Sequence, residues 1–371
     1  CKLGARFTIK QILRNFRITQ MTNKYDSTFS IMKGVAIISV VIGHCSVPWI
    51  EGFVNQYHLA VFYFIAGYFF NPSYFDSPWI FIKKRVIRLY LPFIGYGFAF
   101  LLLHNLFCHW GFYPTYQIYS FSEWLRNFLL LVIRITSSEL FMGAMWFPVS
   151  LLTVSLLYLP INKIPIINKH NGSGVFFCSI IAYAAITYKV KNPYCIWDTL
   201  MILPIYHIGV LFRQYDLFHR FVNWETTVSC VVGMLTIYSL GGIVRFQSSA
   251  LAHNNLFLFF VVSAMGIVMV YGVSNWIKKT WMSKAVSWCG EYSFEIMAWH
   301  FISFKLVAFI HIYLTGGEWK HLSDFPVYNA NLLLWTPLCA MVGCTLPLLL
   351  KYTFNRVKPI ISLRLQKLTA K

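Results

Sequence analysis

The residues best suited to chemistry are polar and ionisable side chains that stand inside long apolar runs. They are Lys33, His44, His58, Ser293, Glu295 and His300. Because an ionisable group is expensive to keep inside a bilayer, each of the charged or imidazole groups is a functional candidate. Imidazoles exchange protons near neutral pH, so the histidines predict acid–base or nucleophilic chemistry.

Lys33 and His44 lie eleven residues apart in the run MKGVAIISVVIGH. In a helix this spacing is about three turns, which puts both side chains on one face and about 16 Å apart in depth. A cation at the mouth of a bundle would then lie below an imidazole within the membrane. The alternative is a lysine whose ammonium reaches back to the interface and a histidine that only bonds a neighbouring helix.

A basic cluster, KKRVIRLYLP, covers residues 83–92. Arg85 and Arg88 are one helical turn apart, and Lys84 adds a third cation, so the cluster could bind phosphate from a loop before the next apolar run. The same charges would also satisfy the rule that cytoplasmic loops are rich in Lys and Arg, without any ligand.

Five further residues, in three places along the chain, have both a functional and a structural interpretation. Ser293 and His300 are seven residues apart and share one helical stripe with Glu295 nearby, which predicts a site or a set of core hydrogen bonds. His58 follows a polar turn and could face the same cavity as His44, or be an interfacial histidine. Trp146, in AMWFPVSLL, could line a site or belong to an aromatic belt.

The composition requires these residues to be positioned by membrane helices. Of 371 residues, 58% are hydrophobic and only 12% are charged, which excludes an ordinary soluble fold. We predict an all-α integral membrane protein with about ten transmembrane helices. The predicted spans are 31–49, 57–72, 86–107, 143–161, 174–188, 197–212, 226–243, 255–273, 286–310 and 331–350. The segment 122–135 is predicted to be an interfacial amphipathic helix rather than an eleventh span.

The distribution of basic residues orients this arrangement. With ten spans, 23 of the 31 Lys and Arg residues fall on the side of the termini, so both termini are predicted to be cytoplasmic. The chain then divides into a basic N-terminal segment (1–25), a transmembrane domain (26–350) and a basic tail (351–371). The net charge of +19 is spread over short clusters between apolar runs, which argues against a nucleic-acid partner. The nine cysteines form no CxxC pair, so neither a metal site nor a disulfide framework is predicted.

Five motifs in this order resemble those of acyltransferase family 3, most closely its fucose 4-O-acetylase-like branch. They are KGVAIISVVIGH, YHLAVFYFIAGYFF, KKRVIRLYLPF, MWFPVSLL and GEYSFEIMAWH, and the resemblance runs from about residue 26 to residue 350. Members of this family transfer acyl groups, usually acetyl from acetyl-CoA, to sugars and cell-surface polysaccharides.

The resemblance implies roles for individual residues. The family's basic-x10-His motif falls on Lys33 and His44, its Arg-x-x-Arg on Arg85 and Arg88, and its other two histidines on His58 and His300. Many relatives have Arg at position 33 and Asp at position 30, where this chain has Lys and Ser. Lysine keeps the charge but lacks the bidentate fork of arginine.

The resemblance implies a multi-pass O-acyltransferase of the plasma (inner) membrane, with no permanently bound cofactor. Acetyl-CoA would be the donor, its phosphates held by Lys84, Arg85 and Arg88, and a glycan or lipid-linked sugar would be the acceptor. His44 would act as a general base or carry the acetyl group briefly, with Lys33, His58 and His300 beside it. Ser293, Glu295 and Trp146 would contact the acceptor. The competing hypotheses are a transporter or flippase of a glycan precursor, against which the missing internal repeat counts, and a structural membrane subunit.

Overall fold

The chain is mostly helical in the part that its structure, a computed structural model, describes. The described residues are 26–114, 117–165, 172, 174–242, 244, 246, 255–328 and 332–369, and no β-strand occurs among them. The all-α class is therefore confirmed for this part of the chain. The predicted basic segment 1–25 lies outside the described residues, as do residues 166–169 of a loop that we assign to the cytoplasm.

Fourteen helices follow one another in the described residues. They are α1 (Ser27–Gly43), α2 (Pro48–Val54), α3 (His58–Tyr68), α4 (Pro78–His109), α5 (Phe121–Ile133), α6 (Trp146–Lys163), α7 (Gly174–Thr187), α8 (Ile196–Tyr215), α9 (Leu217–Phe221), α10 (Trp224–Ser239), α11 (Leu256–Ile277), α12 (Ser283–Glu291), α13 (Ser293–Thr315) and α14 (Leu332–Thr369). A π-helical turn, Val86–Tyr90, interrupts α4. Short 3-10 turns lie at Pro72–Phe75, Leu140–Met142, Pro193–Cys195 and Trp319–Ser323.

Every predicted span overlaps at least one of these helices, but the lengths of the helices differ. Five of the described helices are long and apolar enough to cross a bilayer: Pro78–His109, Ile196–Tyr215, Leu256–Ile277, Ser293–Thr315 and the part of α14 from Trp335 to Arg356. Two shorter apolar helices, α1 and α7, accompany them. The count of ten spans and the side on which the termini lie stay predictions.

Two predicted spans are divided in the structure. The run 31–49 ends as a helix at Gly43, Ser46 has a positive φ of 58°, and Pro48 starts α2. Proline favours the first position of a helix, so this break has a local cause. The run 286–310 is two helices, α12 and α13, separated at Tyr292.

The helices α1 and α3 form the centre of the bundle. Nine of the eleven residues of α3 are buried. Glycines bring their neighbours close: a Cβ on Gly34 would overlap the carbonyl oxygen of Val286 in α12, and a Cβ on Gly67 would overlap that of Tyr206 in α8. Close backbone approach through small residues is the usual way in which membrane helices pack.

The position of α1 is fixed at its first residue. The carboxylate of Asp26 caps the helix by accepting a hydrogen bond from the Thr28 backbone, and Lys278 at the end of α11 donates a 2.7 Å bond to it. Burial acts to raise the pKa of Asp26, but the hydrogen bonds from Lys278 and Thr28 outweigh burial and hold this pKa below its usual value. The carboxylate is therefore charged at neutral pH and ties α1 to α11.

The helix α5 packs beside α4 in the opposite direction. Asn105, near the end of α4, bonds the backbone of Tyr119 before α5, whereas the hydroxyl of Tyr90, at the end of the π-helical turn in α4, donates to the carbonyl of Val132 at the end of α5. A capping box between Ser120 and Glu123 starts α5. At thirteen residues, or about 20 Å, α5 is too short for a membrane span.

Candidate active site

The end of α1 opens into a cavity of about 350 Å³, which we call the histidine cavity. His44 caps α1 at this point, and His58 at the start of α3 faces it. The residues that line the cavity and carry polar or aromatic groups are His44, Ser46, Glu51, Asn55, His58, Trp146, Phe147, Phe246, Phe301 and Phe325. Three predicted site residues, His44, His58 and Trp146, therefore meet at one space.

The hydrogen bond of His58 fixes which ring nitrogen carries its proton. Nδ1 lies 2.6 Å from the carbonyl oxygen of Val54, which can only accept, so Nδ1–H donates. In the neutral ring, Nε2 is then the lone-pair nitrogen. His58 is buried within α3 and can serve as an acceptor at the cavity wall.

His300 lies behind His44, and the two ring centroids are 5.1 Å apart. Nδ1 of His300 faces the carbonyl oxygens of Ile296 and Met297 and must donate to them, so in the neutral ring Nε2 is the lone-pair nitrogen. Neither this Nε2 nor Nδ1 of His44 has a hydrogen-bond partner among the described residues. Buried polar atoms without partners are uncommon and mark candidate functional groups.

A second cavity of about 490 Å³, which we call the basic cavity, lies between α4, the start of α13 and α14. Its charged lining groups are Arg88, Glu295 and Lys351, and the last two form a 2.7 Å ion pair. Lys33 interacts electrostatically with Arg88 and with Glu291 at the end of α12. The structure thus brings Lys33 and Arg88 close together, with Glu291 beside Lys33 and with the charge of Lys351 balanced by Glu295.

The helix α13 borders both cavities. Trp299 lines the basic cavity, whereas Met297 and Phe301 line the histidine cavity, and His300 lies between them on the same helix. The rise of a helix puts Lys33 about 16 Å below His44 along α1. A long, thin ligand that is anionic at one end could therefore contact both regions along α1 and α13.

The remaining basic residues have other neighbours. The guanidinium of Arg85 packs over the Phe81 ring and reaches the Ala66 carbonyl and the Tyr206 hydroxyl, on α3 and α8. Lys84 donates to the Tyr74 hydroxyl. The cluster lies in a helix rather than in the expected loop, and the π-helical turn changes the angle between Arg85 and Arg88.

The α13 residues that were predicted to contact the acceptor do not line the histidine cavity. Glu295 lies at the basic cavity with Arg88 and Lys351, and Ser293 is the first residue of α13, two turns before His300. Neither is among the described residues that line the histidine cavity. Trp146 does line the histidine cavity, and it also lines a third cavity described below.

Sequence reasoning missed a buried ionisable pair, His104 and Glu139, whose atoms Nδ1 and Oε2 are 3.0 Å apart. His104 stands in the apolar run LLLHNLFC, so the same argument from burial would have found it. Among the described residues, no three His, Cys, Asp or Glu side chains are grouped to hold a metal ion.

Comparisons with known proteins bear on the chemistry of this arrangement. A family model described as an acyltransferase domain, the third of the acyltransferase families, matches residues 27–352. This match covers all the candidate site residues. No curated protein and no solved structure matches the chain.

Proposed function

Because this chain belongs to acyltransferase family 3, we propose that it transfers an acetyl group from acetyl-CoA to a hydroxyl of a sugar or cell-surface polysaccharide. The observation that carries this proposal is the pair of unpartnered imidazole nitrogens of His44 and His300 beside the histidine cavity. A structural subunit offers no reason for such a pair at a cavity.

The donor would approach from the basic cavity. The phosphates of acetyl-CoA would bind Arg88 and Lys33, whose charges lie close together, and the pantetheine arm would run along α13 toward His44. The Glu295–Lys351 pair would close the other side of the cavity. Acetyl-CoA is made in the cytoplasm, so this proposal agrees with cytoplasmic termini and a plasma-membrane location.

The chemistry proposed for His44 has two forms. As a general base, its imidazole takes the proton of the acceptor hydroxyl while the oxygen attacks the thioester carbonyl, the C–S bond breaks, and the proton passes to the CoA thiolate. As a nucleophile, it forms an acetyl-imidazole that the hydroxyl then attacks, and CoA leaves in the first step. Both forms need one lone pair of His44 to face the cavity.

His300 would select that lone pair. These two nitrogens do not bond each other in the structure, where the ring centroids are 5.1 Å apart. A rotation of the rings that brings them together would let Nδ1 of His44 donate to Nε2 of His300 and would leave Nε2 of His44 free to react. His58 and the polar groups Glu51 and Asn55 would bind the acceptor or the developing charge.

Mass spectrometry of surface glycans from cells with and without the gene tests this function. We expect an acetyl-sized mass difference on a sugar residue, restored by the wild-type gene but not by His44→Ala. A flippase would instead change the amount of glycan at the surface with no acetyl difference, and that result would replace the acyltransferase proposal.

A further inference from the structure

A third cavity, of about 620 Å³, shares a wall with the histidine cavity, and we call it the Glu139 cavity. Gly143 and Trp146 line both spaces. The polar groups of the Glu139 cavity come from the segment before Leu140 and from the loop before α8: Arg134, Thr136, Ser137, Glu139, Asn192 and Tyr194. Nothing in the proposed donor path uses this space.

Glu139 is 4% exposed. One of its carboxyl oxygens accepts hydrogen bonds, and the other has no partner among the described residues. Its Oε2 accepts a 2.7 Å bond from the Tyr113 hydroxyl and a 3.0 Å bond from Nδ1 of His104. Its Oε1 is buried and receives no hydrogen bond from the described residues. A buried oxygen without a donor costs about 1–3 kcal/mol, more when it is charged.

Glu139 and His104 form a buried pair that leaves Oε1 as an acceptor. Nε2 of His104 lies 2.8 Å from the carbonyl oxygen of Gln117, which can only accept, so Nε2–H donates. Nδ1 and Oε2 then share one proton, and whichever of the two atoms holds it, Oε1 keeps its lone pairs and carries no proton. Because Glu139 lines the cavity, Oε1 is an acceptor without a donor at that wall.

The rest of the lining has the chemistry that binds a sugar. The hydroxyl groups of Thr136 and Ser137 belong to residues that line the same cavity as Glu139, and Trp146 and Tyr194 add aromatic rings to its wall. Asn192 also lines it, with its amide held by Trp197 and Asp198. Sites for small molecules combine aromatic surface with a few placed polar groups in this way. A sugar ring supplies hydroxyl donors for Oε1 and C–H faces for the aromatic rings.

We infer that the Glu139 cavity binds the sugar ring of the acceptor, with one hydroxyl donating to Oε1 of Glu139 and another presented to His44 past Trp146. This inference rests on the proposed function for the identity of the donor. It assigns the acceptor to a space separate from the basic cavity, so the two substrates approach His44 from different sides.

The test uses the purified full-length protein and surface polysaccharide from the source cells, stripped of O-acetyl groups by mild alkali. Glu139→Gln should raise the apparent KM for this glycan about 10- to 100-fold, because a carboxyl acceptor for a sugar hydroxyl is replaced by an amide. The KM for acetyl-CoA should change less than about twofold, since Glu139 does not line the basic cavity.

Thr136→Tyr is the second variant, because Glu139→Gln disturbs the His104 pair. It fills the Glu139 cavity without touching that pair, and we expect the same rise in the glycan KM. Two matched controls should leave the glycan KM nearly unchanged. Ser138→Ala lies on the same segment but bonds Tyr119 outside the cavity, and Tyr113→Phe removes a bond from Oε2 alone.

Glycan binding, measured as the rise in melting temperature that the stripped polysaccharide gives, separates the two proposals. Wild-type protein that gains stability but transfers no acetyl would overturn the proposed function and leave the cavity assignment standing. An unchanged glycan KM and an unchanged thermal shift in both Glu139→Gln and Thr136→Tyr would overturn the assignment. Equal effects of Glu139→Gln and Tyr113→Phe would reduce Glu139 to a structural role. Wild-type protein that neither binds nor acetylates the glycan would overturn both.

Discussion

The chemistry proposed for the end of α1 depends on two nitrogen atoms. Nδ1 of His44 and Nε2 of His300 are buried and make no hydrogen bond with the described residues. Besides the histidines, Glu51 is the ionisable side chain among the described residues that line the adjoining cavity. Each imidazole is therefore available for a proton transfer that a packed structural histidine would not offer.

Replacement of His44 by Ala should abolish acetyl transfer and leave the amount of protein in the membrane nearly unchanged. Loss of a general base typically lowers a rate by about 10²–10⁴. Transfer is measured with radiolabelled acetyl-CoA, and protein level by immunoblot. A His44→Ala protein that accumulates normally and keeps full activity would show that His44 only fills the core.

Arg85 and Arg88 should behave differently when each is replaced by Gln. Arg88→Gln should raise the KM for acetyl-CoA, because Arg88 lines the basic cavity beside Lys33. Arg85→Gln should mainly lower thermal stability, because Arg85 bonds the Ala66 carbonyl and the Tyr206 hydroxyl.

Kinetics and melting temperature of both variants in detergent measure this difference, and Lys83→Gln, an exposed neighbour, is the control. Equal increases in KM for Arg85→Gln and Arg88→Gln would restore the simple pair that the sequence suggests. The sequence alone could not distinguish the two arginines, because the prediction assumed regular α-helical spacing. A π-helical turn that begins directly after Arg85 and includes Arg88 changes that spacing.

At the scale of elements, one buried lysine connects α13 to the segment after it. Lys305 is 2% exposed, and its ammonium donates to the carbonyl oxygens of Leu322 and Asp324 at 3.0 and 2.6 Å. The next residues, Phe325 and Pro326, line the histidine cavity. Lys305 therefore holds this part of the cavity wall in place.

Lys305→Met should loosen that wall, because the methionine fills the space but leaves two carbonyl oxygens without a donor. We expect a loss of stability of about 1–3 kcal/mol and a lower kcat. Melting temperature and transfer rate are the measurements, with Lys320→Met as an exposed control. Normal stability and activity of Lys305→Met would show that the segment is held by its apolar contacts alone.

Gly34→Ala should separate α1 from α12. The added methyl group would overlap the carbonyl oxygen of Val286, which is backbone and cannot move aside alone. We expect a loss of about 1–3 kcal/mol, as for other overpacked sites. Gly95→Ala, in α4, is the matched control because nothing lies near its Cβ position. If both variants melt at the same temperature, the α1–α12 contact is not tight in solution.

The sequence predicted the helices well and their ends less well. Apolar runs identify α4, α8, α11 and α13 because these helices carry enough hydrophobic residues on every side. The break at Tyr292 and the short length of α3 leave no mark on composition. The sequence identified His44, His58 and His300 because imidazole side chains are unusual within long apolar runs. It did not identify Glu139, because this residue follows a polar stretch that gives no sign of burial.

For the whole molecule, the ten-span arrangement predicts which surfaces an impermeant thiol reagent can reach. In a background without native cysteines, Lys84→Cys and Lys279→Cys should stay unlabelled in intact cells, because both exposed positions belong to the predicted cytoplasmic side. Lys189→Cys, exposed after α7 on the opposite side, should be labelled. Labelling of position 84 or 279 from outside would contradict the ten-span arrangement.

The position of Lys305 also constrains how the protein is made. A lysine near the middle of a spanning helix costs about 2.5–3.5 kcal/mol when that helix enters the bilayer by itself, and α13 carries His300 and His311 as well. The acceptors that satisfy Lys305, Leu322 and Asp324, are synthesised only after the helix is complete. During translation α13 should therefore remain beside the insertion machinery, or against the earlier helices, until the following segment has emerged and supplied those carbonyl groups.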